Sequence, residues 1–208
     1  MNDFNLENVN SMYIDVLREI GNIGAGNAAT SLATMLNTKV DMMVPRVELL
    51  GFNEIDEVMG GAEQVMAGIY LLVRGDITGS IMFLLEQESA QALVKKLMGN
   101  YGQESTGEMN EMERSTLKEI GNIITASYLN SLSAMTNMKI IASIPDLTID
   151  MAGAILSVPA IEFGMLGDKL LMIQTTFTDE KELHGYFLLV PDLPSYEKLL
   201  RALGVITD

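Results

Sequence analysis

The pentapeptide Glu19-Ile20-Gly21-Asn22-Ile23 occurs a second time as Glu119-Ile120-Gly121-Asn122-Ile123, 100 residues further along the chain. At that offset residues 11–50 match residues 111–150 at 13 positions, including Met12/Met112, Leu17/Leu117, Leu32/Leu132, Asn37/Asn137, Lys39/Lys139 and Pro45/Pro145. The similarity continues more weakly: Gly79–Leu84 aligns with Gly185–Val190 at an offset of 106, and Leu93 and Leu97 align with Leu199 and Leu203. The second half therefore carries about six extra residues between Pro145 and Gly185. Two copies are too few for a stacked solenoid. The expectation is one domain over 1–208, made of half-repeats at about 9–100 and 109–208, each burying what the other exposes. The Gly/Ser/Asn-rich segment 99–108 reads as the linker.

Chemistry-bearing residues are few. The chain has no cysteine and one histidine, His184. Disulfides, thiolate metal sites and cysteine nucleophiles are excluded, and paired-histidine metal chemistry within one chain is excluded with them. His184 opens an apolar run and reads as a surface or turn residue. A net charge of −15 disfavours a broad basic face for nucleic acid or an anionic membrane. The N-terminal residues lack the basic and apolar regions of a signal peptide, and no stretch is long enough to span a bilayer. The cytoplasm is the expected location.

Hydrophobic periodicity gives an α+β outline with a central, mostly antiparallel sheet and the two long repeated helical regions exposed on one side. Residues 9–36 have helical period, broken by the glycines at 21, 24 and 26, and 110–136 behave likewise. Val40–Leu50 reads as extended, with Pro45 at an edge or bend. Gln64–Val73 and Ile77–Leu85 read as a hairpin and Glu88–Met98 as an amphipathic helix. In the second half Lys139–Ile144, Met151–Val158, Leu170–Thr176 and Gly185–Val190 read as strands, and Pro194–Leu203 as a helix. The run Gly24-Ala25-Gly26-Asn27-Ala28-Ala29 matches a nucleotide-binding fingerprint in letters only, because an amphipathic helix, not a strand, precedes it. The high methionine content, 16 residues, reads as core filling.

At 100° per residue Asp15, Glu19 and Asn22 share one stripe about 60° wide, and Ser115, Glu119 and Asn122 share the corresponding stripe. The apolar residues Met12, Val16, Ile20 and Ile23 are expected to face the core beside it, as are Met112, Ile120 and Ile123. A single Glu on such a face is ordinarily a solvated residue. Here the rest of the face differs between copies (Tyr13/Glu113, Arg18/Lys118, Gly26/Ala126), while Glu and Asn persist. The mid-helix glycines Gly21 and Gly121 cost about 1 kcal/mol each against alanine and suggest close approach of another backbone.

The double pattern Asp15-x3-Glu19-x2-Asn22-x22-Pro45 and Ser115-x3-Glu119-x2-Asn122-x22-Pro145 resembles the signature of the CheC/CheX/FliY family of bacterial chemotaxis phosphatases. The resemblance covers essentially the whole chain. Two patterns in a stand-alone chain resemble the CheC branch, more than the single-site CheX or FliY with its rotor-type domain. The resemblance implies hydrolysis of the phospho-aspartate of a CheY-type response regulator. Glu19, Asn22, Glu119 and Asn122 would be catalytic, and Asp15, Pro45, Ser115 and Pro145 supporting. It implies no cofactor of the chain's own, since the regulator brings Mg²⁺. It also implies a second partner, the receptor deamidase CheD. The competing expectation is a non-enzymatic adaptor that binds the phosphorylated regulator, as relatives near the flagellar switch protein FliM do, or a regulator of the receptor deamidase CheD. Arg18, Lys39, Lys118 and Lys139 could offset the acidic charge near the helices.

Overall fold

The computed structural model describes residues 11–37, 39–99, 109–163, 169–178 and 182–204. The linker segment 100–108 lies outside them, so its expected role is not addressed by the fold. The repeated pentapeptides sit in two long helices, α1 (Ser11–Leu36) and α4 (Glu111–Thr136), of 26 residues each. Both run unbroken through their glycines, contrary to the expected break. The glycines are tolerated because two of the three in α1, Gly21 and Gly24, are buried against other elements, so packing offsets their poor helix propensity. The helix stop is instead the repeated asparagine: Asn37 and Asn137 follow α1 and α4 with φ of 50° and 56°. Asparagine adopts this left-handed conformation more readily than other side chains, and it ends the helix there. The start of α4 is fixed by a reciprocal cap. The Glu113 amide donates to Asn110 Oδ1 at 3.0 Å, and the Asn110 amide donates to Glu113 Oε2 at 2.8 Å.

The strands are β1 (Asp41–Gly51), β2 (Val65–Gly75), β3 (Gly79–Glu86), β4 (Ile140–Ala142), β5 (Asp146–Met151), β6 (Lys169–Thr178) and β7 (Glu182–Pro191). They form one antiparallel sheet in the order β1-β6-β7-β3-β2-β4, with β5 also paired to β2. The remaining helices are α2 (Phe52–Val58), α3 (Gln87–Met98), α5 (Ala152–Phe163) and α6 (Leu193–Ala202). The order is palindromic about the β7–β3 pair, so the first strand of each half pairs with the second strand of the other half: β1 with β6, and β5 with β2.

Alternation along the strands divides the core between two layers. Ile69, Leu71, Ile81, Phe83, Ile173, Phe187 and Leu189 face α1, α4 and α3, while Met66, Met82, Leu84, Met172 and Leu188 face α2 and α5. The ladder registers locate the extra residues of the second half. Arg46 and Asp146 face Gln174 and Tyr70, so the offset has grown to 104 by β6. That growth coincides with α5 having 12 residues against 7 in α2.

Two expectations fail in this region. Met151–Val158 is not a strand: residues from Ala152 onward are the helix α5, with Pro159 inside it. An unbroken apolar run does not distinguish a buried helix from a strand, and this one packs Ala152, Ile155 and Leu156 in helical rhythm against the sheet. Lys139–Ile144 is a strand only over Ile140–Ala142, and a separate strand begins at Asp146. His184 lies within β7 opposite Thr176, half-buried rather than at a surface turn, and its Nδ1 has no partner among the described residues.

Candidate active site

Residues with no room for a side chain fix where the motif helices sit. A Cβ on Gly21 would lie 3.3 Å from a Val44 methyl and 3.4 Å from Ile173, and one on Gly121 would overlap Ile69. The close approach expected at these glycines is therefore real, but strand side chains make it, not a backbone. Gly24 faces the other helix: a Cβ there would fall within 3.1 Å of both the ring and the Cα of Tyr128. Tyr128 in turn stacks on Phe187 with ring centroids 4.3 Å apart and shares a 3.0 Å hydrogen bond with Thr175. One turn further, Asn27 Nδ2 donates to Ser131 Oγ at 3.3 Å, joining α1 to α4.

Small residues thus make the contact, and this rotates the helix relative to the sequence expectation. The main buried stripe of α1 is Leu17, Ile20, Gly21, Gly24, Ala25, Ala28 and Leu32, with Ala29 also buried towards the helix C-terminus. It lies on the far side of the helix from Asp15, Glu19 and Asn22, not beside them. Ile23 is 38% exposed and Met112 64% exposed, so neither belongs to the core as expected. The motif points straight outward as a result. Asp15, Glu19, Asn22, Ser115 and Glu119 are exposed, and Asn122 is half-buried.

The two copies are alike in their central pair and unlike around it. Among the described residues the side chains of Glu19, Asn22, Glu119 and Asn122 make no hydrogen bond or ion pair, so their polar groups stand open to solvent. Asp15 is engaged: Arg18 Nη1 donates to it at 3.0 Å, with both side chains about half exposed or more. Ser115 has no such latch: it carries a neutral hydroxyl where the first copy has a carboxylate, and among the described residues no hydrogen bond joins it to Lys118 at its i+3 position. Of the other two cations, Lys39 is spent on Asp41 at 2.7 Å. The Lys139 main chain is held by Asp76, its amide donating to the carboxylate at 2.7 Å. An exposed pair of this kind contributes little to stability, but it does neutralise charge locally.

Pro45 and Pro145 occupy the same irregularity in both halves. In β1 the register shifts between Met43 and Arg46, leaving Val44 and Pro45 opposite one residue of β6. In the second half Ala142 still pairs with Val73, the Ser143 amide reaches the Leu72 carbonyl, and pairing resumes at Asp146 with Tyr70. A proline has no amide to offer a ladder, so a bulge is where it fits. This is a strand-shaping position beneath the motif helices. Among the described residues no group of three or more His, Cys, Asp or Glu could hold a metal ion, and no helix is long and apolar enough to cross a membrane.

The repeated geometry coincides with what relatives share. The sequence pattern of the CheC-like family matches residues 12–49 and 112–149, the two segments that carry the stripes and the prolines. The CheY-P phosphatase CheC of Bacillus subtilis is 39% identical over 196 residues, covering 92% of this chain and 93% of that one. The chain belongs to the CheC-like family. Its fold is also seen in solved structures. The crystal structure of Thermotoga maritima FliY matches with a TM-score of 0.75 at 20% identity, covering 95% of this chain and 98% of that one. The middle domain of FliM from H. pylori matches with a TM-score of 0.68 at 12% identity, covering 93% of this chain and 99% of that one. Likeness at these identities speaks to the fold alone. The Glu/Asn stripes are the features to which a reaction can be tied.

Proposed function

We infer that this member of the CheC-like family is a phosphatase acting on the phospho-aspartate of a CheY-type response regulator. The observation that carries this reading is the Glu/Asn pair, present twice on outward helix stripes with its polar atoms free, in a chain 39% identical to a CheY-P phosphatase. An aspartyl phosphate is a mixed anhydride and is already reactive. A catalyst needs to place water in line with the scissile P–O bond, and charge on the phosphoryl oxygens is met largely by the regulator's own divalent cation and lysine. This chain then needs no nucleophile and no metal of its own.

The side chains suit that division of labour. The amides of Asn22 and Asn122 each have an acceptor oxygen for a water proton and donor hydrogens for a phosphoryl oxygen, without bringing negative charge to phosphate. Water attacks phosphorus, the bond to the aspartyl oxygen breaks, and inorganic phosphate and a free carboxylate result. Glu19 and Glu119 pair with the regulator's lysine ammonium and fix the docking register. Asp15, latched by Arg18, and Ser115 support the same face. Pro45 and Pro145 hold the bulged strands beneath. A chain acting on such a regulator works in the cytoplasm, and the deamidase CheD is a second partner whose binding raises the activity.

The test is phosphate release from a phosphorylated CheY-type regulator, with the unmodified chain beside an Asn22→Ala/Asn122→Ala variant. Acceleration by the first and none by the second is expected. Binding of the regulator without acceleration by the unmodified chain would instead favour the adaptor reading.

A further inference from the structure

The two halves differ most sharply one residue before their shared proline. Val44 is 8% exposed and packs a methyl against the Gly21 position, whereas its counterpart Ile144 is 86% exposed. The cause is local. In the second half the Ser143 side chain enters the bulge: Leu72 N–H donates to its Oγ at 3.0 Å, and the Oγ donates to the Ile144 carbonyl at 2.9 Å. The strand opens there, and the atoms nearest the Gly121 position are those of Ile69, where Val44 and Ile173 lie nearest the Gly21 position. Ile144 is left facing water. A second apolar side chain of the same half is also exposed. Met112 is 64% exposed and, seven residues before Glu119, borders the outward stripe about 20° from Glu119 and two helical turns N-terminal to it. A third difference runs the same way: Ile141 is 50% exposed where the first half has Asp41 paired to Lys39.

We propose that Met112 and Ile144 form an apolar docking contact for the phosphorylated response regulator at the second site, a contact for which the first site has Val44 buried instead. The proposal rests on the phosphatase reading and names determinants of affinity within it. The occupant follows from continuity: Met112 borders Glu119 on the same helix face, so a partner that pairs with Glu119 and presents its phospho-aspartate to Asn122 extends towards it. Exposed apolar side chains that flank a polar reactive group are the usual make-up of a docking patch. The two sites are thereby unequal by construction. The first is bordered by the Asp15–Arg18 ion pair; the second adds apolar burial to its Glu119 contact, so its affinity depends less on salt than that of the first.

The test isolates the second site in an Asn22→Ala chain and measures phosphate release against regulator concentration. Met112→Ser/Ile144→Ser in that background is expected to raise KM about ten-fold with kcat changed by less than about two-fold. Ile144→Leu, with Met112 retained, is expected to keep the original KM. Both side chains are exposed, so the fold is not at stake, and an unchanged thermal midpoint confirms it. An unchanged KM overturns the proposal. So does a variant that alters self-association in sedimentation and leaves KM alone, which would make the patch a contact between two copies of this chain. Failure of the underlying reading looks different: the Asn22→Ala/Asn122→Ala chain would then still accelerate phosphate release.

Discussion

Met82 on β3 lies directly opposite Leu188 on β7, and each holds in its own half the position that the other holds in its half. The pseudo-two-fold axis of the duplication therefore passes through this pair. From it the sheet grows outward identically in both directions, and the outermost strands β1 and β5 end up on the opposite half's β6 and β2.

Interlocked strands predict how the chain behaves when cut. A protease site placed within 100–108 and cleaved should leave the halves associated, because β1 and β5 each keep their ladder with the other fragment. The nicked protein should elute as one species in gel filtration and unfold in one transition. Two separate folded fragments would contradict the exchanged pairing.

Replacing charge without changing shape distinguishes the roles of Glu and Asn. Glu19→Gln/Glu119→Gln should raise KM and reduce the dependence of kcat/KM on salt, because an ion pair with the partner is lost. Asn22→Ala or Asn122→Ala should leave partial activity, and the double change should lower kcat by on the order of 10²–10³. Steady-state phosphate release at two ionic strengths reads both effects.

Glycines in the motif helices should respond oppositely to the same substitution. Gly26→Ala meets nothing within 4 Å and should stabilise the chain by roughly 0.5–1 kcal/mol through helix propensity. Gly121→Ala drives a methyl into fully buried Ile69, a β-branched side chain held in a central strand, and should destabilise by roughly 1–3 kcal/mol. Gly21→Ala, at 3.3 Å from Val44, should fall between them. Urea midpoints at constant slope give the ranking.

Alkaline stability should report on Tyr128. Burial outweighs its hydrogen bond with Thr175 and raises its hydroxyl pKa from 10.0 to about 12. The fold thus favours the neutral phenol. That stabilisation is fully present below pH 10.0 and is lost as pH rises from there through about 12. Tyr128→Phe should cost about 1 kcal/mol at pH 7, where the Thr175 hydroxyl loses its partner. The variant should also show a shallower loss of stability between pH 10 and 12 in denaturation series across that range.

What could be read in the letters, and what could not, divides along one line. The duplication, the outward placement of Glu19, Asn22, Glu119 and Asn122, the hairpin β2–β3 and the strands β6 and β7 follow from local repetition and period. The direction in which α1 rolls does not, because it is set by Gly24 against Tyr128, a contact between residues 104 apart. A large apolar residue such as Met112 counts as core in any periodicity argument, yet here the helix–helix seam needs glycine and alanine, and methionine is turned outward. The helix α5 is hidden for a related reason: Met151–Val158 has one polar residue, Ser157, too few for a period to be taken. The signal for Ile144 was not available at all, since it depends on how the Ser143 hydroxyl settles into the bulge.

The exchanged strand also sets a schedule for synthesis. β1 is separated from its partner β6 by about 120 to 140 residues of chain. At roughly 5–20 residues per second, many seconds pass between the translation of one strand and the other. During that interval α1 and β1 have left the ribosome with no sheet to join, and the growing polypeptide carries an unpaired strand edge until nearly the last of its sequence is made. A duplicated protein of this kind gains its symmetry only by deferring closure, and its early segments must remain soluble while they wait.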